Sequence, residues 1–135
     1  MYRDRPKIIF RSHDDLYRQL DLVRCNINAR SEDTVVLNTS FMYHFVNILN
    51  GYTGIIMPTK KPKILRLFNR DNRLQKLPAQ VVITTPDFCM ETEILFQEVE
   101  EVYIGGAVLN LYEAELIRNK FQNAKITYIY GATEC

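Results

Sequence analysis

Two periodicities alternate along the chain. Thr34 to Asn38 carries Val35, Val36 and Leu37 in unbroken succession, and Gln80 to Thr84 carries Val81, Val82 and Ile83. Short apolar runs without polar interruption suit strands covered on both faces, the condition of a parallel sheet. Lys7 to Phe10, Thr53 to Met57, Glu101 to Ile104 and Lys125 to Tyr130 read as further strands, the first of them buried. Elsewhere the apolar residues recur at helical spacing. Leu16, Leu20, Val23 and Ile27 line one face of a helix that Ser12 caps, with Asp14 and Asp15 in its first turn. Phe41 to Asn50 reads as a mainly apolar helix stopped by Gly51, a residue that accepts left-handed geometry. Lys63 to Leu77 has Ile64, Leu67, Phe68 and Leu74 on one side and Lys63, Arg66, Arg70 and Arg73 on the other. Asn110 and Glu113 form a capping box, and the helix they open turns Ala114, Ile117 and Phe121 inward.

Strand followed by helix, repeated to the end, predicts an α/β fold: a layered parallel sheet with flanking helices. No repeat, low-complexity segment or linker interrupts the pattern, so residues 1–135 read as one domain. A chain of that length supports one modest core, burying roughly two-thirds of its unfolded surface. Ligands in such sheets sit beyond the carboxyl ends of the strands. The turns after Ile83, Ile104 and Tyr130 are therefore the places to look.

Composition narrows the function classes. With 47% hydrophobic and 24% charged residues the chain is an ordinary globular sequence, and a net charge of +1 gives no global pull toward nucleic acid. Cys25, Cys89 and Cys135 are odd in number and far apart, which fits neither a disulfide framework nor a thiolate metal site and favours a reducing, cytoplasmic setting. No segment reaches the roughly 20 apolar residues of a spanning helix. Neither a nucleophile motif nor a histidine-rich metal cluster is present.

Chemistry concentrates at the end of the last strand. Tyr130-Gly131-Ala132-Thr133-Glu134 combines a ring that can stack on adenine, a glycine that lets backbone approach a ligand, a hydroxyl for phosphate oxygen and a carboxylate for a hard cation such as Mg²⁺. It follows Val102-Tyr103-Ile104-Gly105-Gly106-Ala107-Val108-Leu109, then the helix Glu113 to Phe121, then Ile126 to Tyr130. In that order and spacing the chain resembles the adenylate-forming (AMP-binding) superfamily, that of the acyl-CoA synthetases, luciferases and peptide-synthetase adenylation domains. Phe41-Met42-Tyr43-His44-Phe45 is similar to the family's apolar segment with a histidine near the acyl pocket, Ala79 to Pro86 to the strand and turn that follow, and Pro6 to His13 to the tail of its phosphate loop.

The resemblance implies an internal part of the large amino-terminal domain of an acyl-CoA synthetase-like ligase, with ATP or AMP and Mg²⁺ as cofactors. Gly105, Gly106, Ala107, Tyr130, Gly131 and Thr133 would meet the nucleotide, Thr133 and Glu134 would be the catalytic pair with Glu134 on the metal, and His44 would border the substrate pocket. The parent reaction would be ATP-dependent adenylation of a carboxylic acid, then transfer to the thiol of CoA or a carrier. Tyr2-Arg3-Asp4-Arg5 stands where the glycine-rich phosphate loop belongs, and the family's later aspartate, hinge and lysine have no positions before Cys135. These 135 residues are therefore expected to be inactive alone, with the missing parts of a split ligase or a second copy as partners.

A different reading takes the basic stretch 60–76, with Lys60, Lys61, Lys63, Arg66, Arg70, Arg73 and Lys76, as a module for anionic partners, against a plain solvated helix face. Glu91, Glu93, Glu98, Glu100 and Glu101 form an acidic stretch expected to face water from a loop and strand edge.

Overall fold

The computed structural model describes residues 8–27, 33–57, 78–92 and 98–131. Strands β1 (Val35–Asn38), β2 (Thr53–Ile56), β3 (Val81–Thr84), β4 (Glu101–Ile104) and β5 (Lys125–Tyr128) form one sheet in the order β2-β1-β3-β4-β5, every neighbouring pair parallel. The apolar runs decide their own positions. β3 and β4 are buried at every residue and lie inside the sheet, whereas β2 and β5 are half-buried at their two middle residues, exposed at both ends, and take its edges.

Pleating sends alternate residues to opposite faces, and each face has its own cluster. Val36, Val81, Ile83 and Tyr103 meet Ile27, Val23 and Tyr43 on the side of helices α1 (His13–Asn26) and α2 (Phe41–Leu49). Leu37, Val82, Val102 and Ile104 meet Phe88, Cys89, Ile117 and Phe121 on the side of α3 (Pro86–Glu91) and α4 (Leu111–Lys120). The register explains the sorting, because Val36 faces Val81 while Leu37 faces Val82 and Val82 faces Val102. Lys120 ties the second layer together, its Nζ donating to the Cys89 carbonyl at 2.7 Å and to the Thr92 carbonyl at the end of α3.

Helix starts follow their caps. Asn110 Oδ1 accepts from the Glu113 N–H while Glu113 Oε2 accepts from the Asn110 N–H, both at 2.9 Å. Ser12 and Asp15 make the same reciprocal box on α1. Gly51 takes φ 77° just beyond α2, a conformation that needs no β-carbon.

Several expectations are corrected. Residues 8–10 form no strand, and Ile8 and Phe10 are 80% and 95% exposed rather than buried, because the sheet offers them no neighbour. β5 ends at Tyr128, two residues short of the expected boundary. α3 was not expected, since its six residues are too few to show a period and only Pro86 at its first turn marks it. Glu91, Glu98 and Glu100 face water, but Glu101 is buried at the start of β4, its Oε2 2.6 Å from the Tyr103 hydroxyl. The basic stretch 60–76 and Glu93 lie outside the described residues.

Two outcomes are expected. The Asp15 carboxylate accepts from the Ser12 hydroxyl and N–H, which hold its pKa below the ordinary 3.8. A depressed carboxylate stabilises above its unfolded value and stops doing so as pH falls through the folded one. Amide exchange at the start of α1 therefore accelerates below about pH 4, and Ser12→Ala weakens that dependence, leaving only the backbone N–H of residue 12 as donor. Burial pushes the Cys89 thiol up to about 12, Lys120 opposing in part, while Cys25 is exposed. Iodoacetamide at pH 8 accordingly labels Cys25 in the native protein and reaches Cys89 only on unfolding, because the thiolate is the nucleophile.

Candidate functional site

The ladder does not stop where the strands do. The Thr39 N–H donates to the Ile83 carbonyl at 3.1 Å, the Gly105 N–H to Thr84 at 3.0 Å and the Ile129 N–H to Ile104 at 2.7 Å. These bonds carry the register into the turns and hold Thr39, Thr84-Thr85, Gly105-Gly106 and Ile129-Tyr130 side by side on one edge. All of them lie beyond carboxyl ends of parallel strands, where open α/β sheets bind ligands.

Gly105 and Gly106 meet different demands. A β-carbon at Gly105 would lie 3.2 Å from the Ile129 carbonyl oxygen, so its absence lets the β4 and β5 turns close on each other. Gly106 takes φ 90°, and a β-carbon there would sit 3.5 Å from Thr85 Cγ2. Gly106, Ala107 and Gly131 are exposed, and the Tyr130 ring is 96% exposed beside them. Threonine hydroxyls border the same edge: Thr39 Oγ1 donates to Thr84 Oγ1 at 3.1 Å. Bare backbone, hydroxyls and an unburied ring suit a planar base and its sugar phosphate.

His44 lies apart from that group, half-buried on α2 over the β1–β2 side of the sheet. Its neighbour Gly54 leaves room for the imidazole, since a β-carbon at Gly54 would stand 2.6 Å from His44 Nδ1. Tyr43, on the same helix, has its pKa raised by burial.

Gly105-Gly106 and Ile129-Tyr130 thus leave neighbouring strands on the same edge of the sheet. Thr133 and Glu134 lie outside the described residues. Among those described, no group of three or more His, Cys, Asp or Glu is placed to hold a metal ion. Sequence reasoning points to the turn after Ile83 without singling out Thr84 or Thr85, and it misses Asn38 and Asn47, whose burial no periodicity signals.

No protein-family model matches the sequence, and no curated protein does. Solved structures do match. The chain is similar to CmiS6 with a TM-score of 0.64 at 16% identity, over 89% of this chain and 31% of that one. It is similar to the N-terminal domain of FACL13 from Mycobacterium tuberculosis with a TM-score of 0.58 at 17% identity, over 84% and 31%. O-succinylbenzoate coenzyme A synthetase (MenE) from Bacillus subtilis matches with a TM-score of 0.52 at 16% identity, over 83% and 25%. The chain shares the fold of these structures over most of its own length. The chain spans less than a third of the length of these structures. What it contributes to that fold includes a five-stranded parallel sheet. No helix among the described residues is long and apolar enough to cross a membrane.

The glycine geometry makes an expectation. Gly106→Ala forces a β-carbon into positive φ and costs about 1–2 kcal/mol of stability. Gly131→Ala, with open space around it, stays within about 0.5 kcal/mol. Urea midpoints of the two variants check the difference.

Proposed function

We propose that residues 1–135 are part of the large amino-terminal domain of an acyl-CoA synthetase-like ligase and contribute half of its nucleotide site. The observation that supports this reading most is the adjacency of the Gly105-Gly106 turn and the exposed Tyr130-Gly131 turn on one edge of a parallel sheet. Tyr130 stacks on adenine, and the Gly105-Gly106-Ala107 backbone passes close to the base and the acyl adenylate. Thr133 contacts phosphate and Glu134 binds the Mg²⁺ that neutralises it. His44 borders the acid.

In the whole enzyme a carboxylate attacks the α-phosphate of ATP, pyrophosphate leaves, and the acyl group passes to the thiol of CoA or a carrier. Charge on the phosphorus needs several donors held together, so these 135 residues alone form no adenylate. β2 and β5 are edges among the described strands, and their outer backbone groups pair with further strands of the ligase domain. Free thiols at Cys25 and Cys89 agree with a cytoplasmic setting.

Titration of the ¹⁵N-labelled chain with AMP and Mg²⁺ is the test. Amide shifts are expected at Gly105, Gly106, Tyr130 and Gly131, with weak affinity of about 1 mM, and ATP–pyrophosphate exchange by the chain alone should be undetectable. Shifts confined to other surfaces, or none at all, would remove the nucleotide reading.

A further inference from the structure

The two faces of the sheet differ in one respect. On the α1/α2 side both polar atoms of the Asn38 side chain, both of Asn47 and Nδ1 of His44 are buried without a hydrogen-bond partner. Asn38 and Asn47 have no exposure at all. Buried polar atoms that have surrendered water and found nothing in return are rare in native proteins, and their recurrence at one place needs a cause.

Their placement is coherent. Val36 and Asn38 are alternate residues of β1 and share a face, and Val36 pairs with Gly54 of β2. A β-carbon at Gly54 would lie 2.6 Å from His44 Nδ1 and 3.7 Å from Asn47 Nδ2, so both helix side chains come down on that glycine. His44 and Asn47 are three residues apart and lie on one side of α2. Asn38 is the last residue of β1 and opens onto the carboxyl edge that carries Gly105 and Tyr130.

The chemistry of the set is specific. Two carboxamides and an imidazole both donate and accept, and none of the three carries the fixed charge of Arg or Lys. A second carboxylate would meet the two amide oxygens without a cation. An alkyl tail would leave every one of these atoms as it is. A hydroxyl or carboxamide would satisfy them.

We propose that Asn38, His44 and Asn47 receive the tail of the acid substrate, and that this tail ends in a neutral hydrogen-bonding group, a hydroxyl or a carboxamide. The assignment rests on the ligase reading above and adds to it the class of acid. Gly54 is the enabling residue, because any side chain there would drive the imidazole away.

Side-chain NH₂ resonances of Asn38 and Asn47 in the ¹⁵N-labelled chain read the site directly. The probes are 4-hydroxybutyrate and 4-carbamoylbutyrate against pentanoate and glutarate, each added with and without AMP. The two neutral polar acids should shift both NH₂ groups and bind at least about tenfold tighter than pentanoate, since a site built to hydrogen-bond rejects the analogue that cannot. Asn47→Leu should erase that preference while the AMP shifts at Gly105 and Tyr130 persist. Should Asn47→Leu fail to fold, His44→Phe, at a half-buried position, should weaken the preference in its place. Pentanoate binding as well as the polar acids, or long-lived water contacts at both carboxamides with no response to any acid, would overturn the tail assignment. If the AMP shifts were present in that case, only this inference would fall, and if they were absent too, the ligase reading would fall with it.

Discussion

Parallel pairing of β3 with β4 is the constraint on which the remaining structure depends. The two strands are buried along their whole length and pair Val82 with Val102 and Ile83 with Tyr103. A slip of one residue would exchange the two faces, sending Val82 and Val102 toward α1 and α2 and Ile83 toward α3 and α4. Both clusters would then meet the wrong partners. Register is therefore fixed by packing on two sides at once, and the turns inherit it. The Gly105 N–H reaches the Thr84 carbonyl because the strands beneath are already aligned. The close approach of Gly105 to Ile129 repeats the arrangement one strand further on.

What the sequence reveals follows from the same physics. Continuous valine, leucine and isoleucine runs announce buried parallel strands because both faces are covered, and β1 and β3 fall where those runs predict. Ser12 with Asp15 and Asn110 with Glu113 are local interactions, complete within four residues, so both caps are legible without any tertiary context. The Gly105-Gly106 and Tyr130-Gly131 turns could be located because they terminate recognisable strands. Ile8 and Phe10 mislead for the opposite reason. An apolar run states what a residue prefers, not whether the fold has a surface to offer it, and here both stay exposed.

Long-range satisfaction of polar groups is the least legible property. Glu101 sits in an acidic stretch and reads as a surface residue, yet it opens the strand next to the edge strand β5 and lies against the Tyr103 hydroxyl. The same hydroxyl oxygen lies 2.6 Å from the Asn26 carbonyl oxygen, joining the end of α1 to the sheet across 77 positions of sequence. Separation of that order leaves no periodic trace. Asn38 is hidden in the same way, appended to Val35-Val36-Leu37 as though it began a loop.

The asymmetry between the faces bears on how such a segment divides its labour. On the α3/α4 side Phe88, Cys89, Ile117 and Phe121 close a core of apolar side chains, and Lys120 seals the helix junction with two carbonyl bonds. That side holds the sheet together. On the α1/α2 side, Gly54 substitutes empty space for a side chain, an imidazole moves into it, and two carboxamides are buried with nothing to bond. Leucine at Asn47 would pack with less loss, so stability alone does not account for the residues present. A face that sacrifices packing where it meets the carboxyl edge is the one on which a substrate can be told from its neighbours.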